Sequence, residues 1–338
     1  MEFTRFDHDQ ASDAEFEEVA AFLAVMDTAD RPAWPLRSGP ELAYLMRGGS
    51  TAGYEQLLWL GRDTGDEAAM TAVAWIGLPA RENRDTAVME IRVRPDLRRG
   101  GIASDFLRAL MPEVRAAGRT HVIGYADFRG SGEAWGATVG LVPTLRYVQQ
   151  YLALADTDSG LWDLPDPDGY RLLSWTGAAP DDLLASYAVA RQAIDDSVSG
   201  TMRWDEPRWT PERVRAEEAR RAAAGREFRS VVAVHTATGE VAGVTDVTIG
   251  EARPTVVQQG YTAVRREHRG HGLGVAMKAA LLRDLVVDRP AAQKVMTQTA
   301  DLNHMAAINT ALGFQVLAES VYIEADVADI EEALVSGS

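Results

Sequence analysis

Two short glycine–arginine runs have the residue types and spacing to bind an anion. They are Arg98-x-x-Gly101-x-Ala103 and Arg269-x-x-Gly272-x-Gly274. Each follows a strand-like run and precedes an apolar stripe at helical spacing. A glycine turn at a helix start exposes several backbone N–H groups at the positive end of the helix dipole, which suits a diphosphate. Glycine removes the side chains that would block close approach, and the arginine adds a fixed cation. Neither run ends in the Gly-Lys-Ser/Thr of a Walker loop, and neither has the glycine spacing of a dinucleotide fingerprint.

The elements around these turns repeat. Val93 to Ala103 matches Val264 to Gly274 at an offset of 171 residues in a chain of 338. The match resumes where Ala126-Asp127 answers Ala300-Asp301 and Gly140-Leu141 answers Gly313-Phe314. Two separated blocks at nearly one offset, close to half the length, imply a tandem duplication. In each half the order reads strand, glycine turn, helix, strand, helix. Residues 87–93 and 256–264 are the strands into the turns, and residues 121–125 and 295–299 are the strands that follow. Thr210 and Pro211 start a helix as cap and first-turn residue. The Asp-, Pro- and Gly-rich stretch 156–169 has no periodicity and reads as a linker. The expected organisation is therefore 1–155, a linker at 156–169, and 170–338.

Val264 to Gly274, with Asn303-x-x-Ala306 and Asn309-x-x-x-Gly313-Phe314 about 40 residues onward, resembles the acetyl-CoA motif of the GNAT superfamily of N-acetyltransferases. The first half matches at the turn but has Gly-Leu for Gly-Phe and nothing like Asn303. The tandem layout is similar to that of mycothiol synthase and other actinobacterial double acetyltransferases. The resemblance implies an α/β (α+β) fold of two tandem GNAT-type domains. Each would be a mixed, mostly antiparallel sheet flanked by helices and splayed between its fourth and fifth strands. It implies acetyl-CoA as acyl donor, with the diphosphate on the amides of Arg269, Gly270, His271, Gly272, Leu273 and Gly274. A second site would use Arg98, Arg99, Gly100, Gly101, Ile102 and Ala103, with Val93 matching Val264. Arg94, Arg265 and Arg266 would reach the 3′-phosphate, and Asn303 and Asn309 belong to the same cofactor set. The N–H of Val264 would stabilise the oxyanion while an amine attacks directly.

Many members of that superfamily carry a tyrosine four residues before the closing Gly-Phe, as proton donor to the leaving thiolate. Here Asn309 and Gly136 stand at those positions, and neither is an acid. Tyr261 on the motif strand and Tyr322 on a late strand are the substitutes within the second half, with packing as the competing account. For the base, Glu90 lies on the strand entering the first turn, where Gln259 stands in the second, and Asp246 is a further candidate. His268 and His271 lie inside the turn and read as anchors.

Apolar residues at 46% and charged residues at 25% describe a globular chain, and no apolar run is long enough for a membrane span. No secretory signal is visible, so cytoplasmic residence is expected. The absence of cysteine excludes disulfides, thiolate metal sites and a cysteine nucleophile; no His/Asp/Glu cluster has ligand spacing, and no metal is expected. A net charge of −16 disfavours nucleic acid and anionic lipid and favours a cationic partner. The expected partner is a small-molecule or peptide amine acceptor, and the expected state is a monomer or homodimer. An acetyl-CoA-dependent N-acetyltransferase with a catalytic second domain and a partly degenerate first one is the leading function. A non-catalytic acyl-CoA-binding scaffold and an acyltransferase for longer acyl chains are the alternatives.

Overall fold

The computed structural model describes residues 1–47, 54–65, 69–196, 200–300 and 304–336. In chain order the elements are β1 (Glu2–Phe6), α1 (Asp13–Asp30), α2 (Gly39–Arg47), β2 (Tyr54–Arg62), β3 (Met70–Pro79), β4 (Thr86–Val93), α3 (Ile102–Ala116), β5 (His121–Asp127), α4 (Ser131–Thr138) and β6 (Val142–Ala153). They continue with β7 (Tyr170–Thr176), α5 (Leu184–Gln192), α6 (Pro211–Ala223), β8 (Arg226–His235), β9 (Val241–Gly250), β10 (Arg253–Val264), α7 (Leu273–Asp288), β11 (Lys294–Thr299), α8 (His304–Ala311), β12 (Gln315–Asp326) and α9 (Val327–Ser336).

Local signals account for several boundaries. Ser12 caps α1 in a reciprocal capping box with Glu15, and Thr210 accepts from the Arg213 N–H with Pro211 at the first position of α6. Both glycine turns end in a left-handed glycine that caps the next helix, Gly101 before α3 and Gly272 before α7. Among the described residues no helix is long and apolar enough to cross a membrane.

The chain forms two compact units, and they are discontinuous in sequence. One is Met1–Arg146 with Ser199–Asp205 and Ala318–Ser338; the other is Tyr147–Val198 with Glu206–Leu317. The chain thus leaves the first unit inside β6 and returns inside β12, unlike the halves 1–155 and 170–338 expected from the repeat. The final strand β12 pairs antiparallel with β5, from Ser320 opposite Asp127 to Asp326 opposite His121. In the second unit the equivalent place beside β11 is taken by β6, with Lys294 opposite Ala153 and Thr299 opposite Val148. Each repeat thereby gives its last strand to the other repeat's sheet.

Within the first unit the strand order is β1-β2-β3-β4-β5-β12, antiparallel except for the parallel β4–β5 pair. Within the second it is β7-β8-β9-β10-β11-β6, antiparallel except for β10–β11. The parallel neighbours are the fourth and fifth strands of each sheet, as expected, because the helix between them makes the crossover that parallel strands need. In the first unit α3 and α9 cover one face through Phe106, Leu110, Ile330 and Leu334, and α1 and α2 cover the other through Phe16, Met26 and Leu42. In the second unit α7 packs on one face, and α5 and α6 on the other.

The stretch 156–169, expected as a linker, is docked onto the second unit. Trp162 is fully buried, donates its indole N–H to the Leu312 carbonyl at 2.9 Å, and its own carbonyl accepts from Arg283.

Candidate functional site

In the first unit β4 and β5 pair from Thr86 opposite His121 to Met89 opposite Gly124, and the pairing then stops. The strands diverge from Glu90 and Tyr125 onward and open a cleft of about 620 Å³, within the range of small-molecule sites. One wall is Glu90 to Val93, the other Tyr125 to Asp127, and the starts of α3 and α4 close the back with Ile102, Ala103 and Trp135. Trp135 donates to the Ser104 hydroxyl at 3.0 Å, which ties α4 to the first turn of α3.

The glycine turn forms the mouth of this cleft. Arg99 and Gly101 have φ of +66° and +83°, and their counterparts Gly270 and Gly272 have +83° and +71°. Alternating left-handed residues bring successive N–H groups to one concave side, a nest for an anion. A methyl group added at Gly101, Gly270 or Gly272 would touch nothing within 4 Å, so the space before each turn is open. These turns fit the diphosphate of an acyl-CoA.

The turn arginines, expected as fixed cations, are held in place and are also paired with carboxylates. Arg98 Nε donates to the Val93 carbonyl at 3.1 Å and its terminal nitrogens bind Asp30 at 2.8 and 2.7 Å. Arg269 repeats the pattern, with Nε to the Val264 carbonyl at 3.0 Å and Nη2 to Asp196 at 2.7 Å. Each arginine fastens its turn to the end of the preceding strand. Hydrogen bonds from Arg266 and Arg269 hold the Asp196 carboxyl below its usual range. His271 donates Nδ1–H to carbonyl oxygens of its own turn, 3.2 Å from His268 and 3.1 Å from Arg269. His268 contacts the Tyr170 hydroxyl at 2.9 Å, and burial lowers its pKa, so both histidines anchor the turn.

Glu90 and Tyr125 sit where the first cleft narrows. The Tyr125 hydroxyl donates to Glu90 Oε2 at 3.0 Å, and Arg92 approaches the other carboxylate oxygen at 4.0 Å. Arg92 is itself held by Asp27 at 2.7 Å. Tyr322, expected to serve the second half, lies in the first unit, because β12 crosses over. It stands opposite Tyr125, with ring centroids 6.5 Å apart. Sequence reasoning did not single out Tyr125; its signal was its place at the end of the strand after the glycine turn.

In the second unit β10 and β11 pair from Val256 opposite Lys294 to Gln258 opposite Met296 before separating. A bulge follows, since Gln259 faces Val247 but Thr262 faces Thr245. Gly260 is required there, because a Cβ would lie 1.9 Å from Asp246 Oδ1. Val264 ends β10 at the mouth, roughly 20 Å beyond Gln258 at 3.3 Å per residue, so Gln259 to Tyr261 stand closer to the narrow end. Arg265 is paired with Glu240 and Glu267. Asn303 lies outside the described residues. Asn309 is buried and donates to Gln150 Oε1 at 2.8 Å.

The groups near that narrow end are committed to one another. Gln259 Nε2 donates to Thr245 Oγ1 at 3.0 Å and to the Asp246 carbonyl at 2.6 Å. The Asp246 carboxylate accepts from buried Arg191 at 3.1 Å, and the guanidinium stacks on Trp209 at 4.0 Å. Burial and the Glu206 charge push the Tyr261 pKa up to about 12.

Residues 196–314 match the acetyltransferase (GNAT) family model. No curated protein matches the chain by sequence. Among solved structures, a tandem GNAT protein from the clavulanic acid biosynthesis pathway superposes with a TM-score of 0.75 at 24% identity, covering 96% of this chain and 98% of that one. A GCN5-related N-acetyltransferase from Sphaerobacter thermophilus gives 0.71 at 16% identity, with 96% of each chain covered. A GCN5-related glucosamine N-acetyltransferase region of a fungal multi-domain GH3 β-N-acetylglucosaminidase gives 0.65 at 12%, covering 96% of this chain and 38% of that one. The chain therefore has the tandem GNAT fold, and its segment 196–314 matches the acetyltransferase (GNAT) family model.

Proposed function

We propose that the protein transfers the acyl group of acetyl-CoA to an amine, and that transfer takes place in the cleft of the first unit. The observation that carries this reading is the Tyr125–Glu90 contact of 3.0 Å at the narrow end of a cleft whose mouth is an anion-binding turn. A donor held by its diphosphate at Gly101 extends its thioester toward Glu90. The attacking neutral amine must shed a proton as the N–C bond forms, and a carboxylate at that point can take it. The three similar proteins include two N-acetyltransferases by name, which supports an amine as acceptor.

The second unit favours a different role, binding acyl-CoA without turnover. Gln259, which cannot take a proton, stands on the strand into the turn where the first unit has Glu90, and Asp246 is committed to Arg191. A cationic amine arriving there would meet a buried guanidinium. The test is Glu90→Gln, assayed by thiol release from acetyl-CoA with a panel of amines. The expected result is a fall in kcat of about 10²–10⁴-fold with acetyl-CoA affinity kept. Full activity in that variant would move the chemistry elsewhere.

A further inference from the structure

A departing thiolate takes up a proton, and the position on α4 where related enzymes carry a tyrosine is Gly136. The structure shows why no side chain replaces it: a Cβ at Gly136 would lie 2.8 Å from Ile323 Cδ1 and 3.5 Å from Leu141 Cβ. A side chain there would have to displace Ile323, which lines the cleft from β12. The acid must come from another element.

Resting on the first-unit reading, we propose that Tyr125, on β5, is the proton donor to the leaving thiolate and works as a pair with Glu90. Tyr125 is the first residue of β5 beyond the last paired position, Gly124, so its side chain stands at the narrow end of the opening. It lines the cleft, whereas β12 contributes Ile323 to the lining and not Tyr322. Its hydroxyl is already fixed by the 3.0 Å bond to Glu90.

The pair balances the reaction. The amine nitrogen forms the new N–C bond, and Glu90 takes its proton. A protonated Glu90 no longer accepts from Tyr125 but donates to it, which frees the phenolic O–H to turn toward the sulfur. The C–S bond breaks with its electron pair on sulfur, and Tyr125 delivers its proton there. Glu90 then returns a proton to the phenolate across the same contact. The amine proton ends on the thiol, and both side chains finish as they began.

The test is Tyr125→Phe, with Tyr322→Phe beside it. Two readouts are used: thiol release from acetyl-CoA with the amine panel, and the thiol pKa of bound CoA followed by thiolate absorbance. Tyr125→Phe should lower kcat about 100-fold with little change in KM, flatten the alkaline limb of the pH profile, and raise the bound thiol pKa by about one unit. Calorimetry with acetyl-CoA should show the wild-type number of binding equivalents and their affinity retained, which excludes misfolding of the first unit as the cause. Tyr322→Phe should fall far short of these effects. Wild-type rates and an unshifted thiol in Tyr125→Phe, or equal losses in both variants, would overturn the assignment. If Glu90→Gln is inactive while Tyr125→Phe is not, only the tyrosine is refuted. If both are fully active, the first-unit reading falls instead.

Discussion

Lys278 lies in the core of the second unit, 1% exposed on the inner face of α7, with its amine 5.3 Å from the Phe314 ring centre. Burial lowers its pKa from 10.5 to about 7. The unfolded chain therefore binds more protons than the folded one between these values, so stability rises with pH across that window. Below about pH 7 the cost of burying the ammonium is fully present. Lys278→Met should raise unfolding free energy at pH 7 by about 2–4 kcal/mol, and the gain should shrink toward pH 10.5. Denaturant titrations of both proteins at pH 7 and 10 check this, and a pH-independent difference would contradict it. Other single residues were legible in the sequence to different degrees. Gly101, Gly270 and Gly272 were readable because a left-handed backbone selects glycine. The aspartates that clamp the turn arginines were not, since Asp30 precedes Arg98 by 68 residues and Asp196 precedes Arg269 by 73, which breaks the repeat spacing.

At the level of elements, the exchange of β6 and β12 makes the first sheet depend on the end of the chain. Val321, Ile323 and Ala325 from β12 and Val327, Ile330 and Leu334 from α9 are buried in the first unit's core. At about 1.5–3 kcal/mol for each large side chain, their loss rivals the whole stability of an ordinary domain. A chain truncated after Leu317 should lose cooperative folding of its first unit, seen as lost hydrogen-exchange protection in β4 and β5. A peptide of residues 318–338 added in trans should restore it. A fragment of residues 1–155 that folds cooperatively alone would contradict the argument. The duplication was readable from repeat spacing and the local order of strand, turn and helix from periodicity, whereas the splay between the fourth and fifth strands followed only from the family resemblance. The exchange was not readable, because a strand's own sequence does not name the sheet edge it will join, and long-range packing decides that. The same packing explains stretch 156–169, whose composition reads as a connector although Trp162 is fully buried.

For the molecule as a whole, the two mouths are alike and the two narrow ends are not. Both turns place left-handed residues at equivalent positions, fasten an arginine to the preceding strand at 3.1 and 3.0 Å, and clamp it with an aspartate. Similar main-chain cradles should hold the same diphosphate, so the full chain should bind two equivalents of acetyl-CoA even though its net charge of −16 opposes an anionic ligand. The narrow ends hold Glu90 with Tyr125 in one unit and Tyr261 with Arg191 in the other, so binding and turnover should separate by mutation. Gly101→Glu places a carboxylate and a strained backbone in the first cradle, and should remove one binding equivalent together with thiol release. Gly272→Glu should remove the other equivalent and spare most of the thiol release. Calorimetry counts the sites and a thiol assay reads the chemistry on the same samples. If Gly272→Glu alone abolished turnover, the working end would be the bulged strand β10, and the Tyr261–Arg191 cluster would have to rearrange before an amine could reach it.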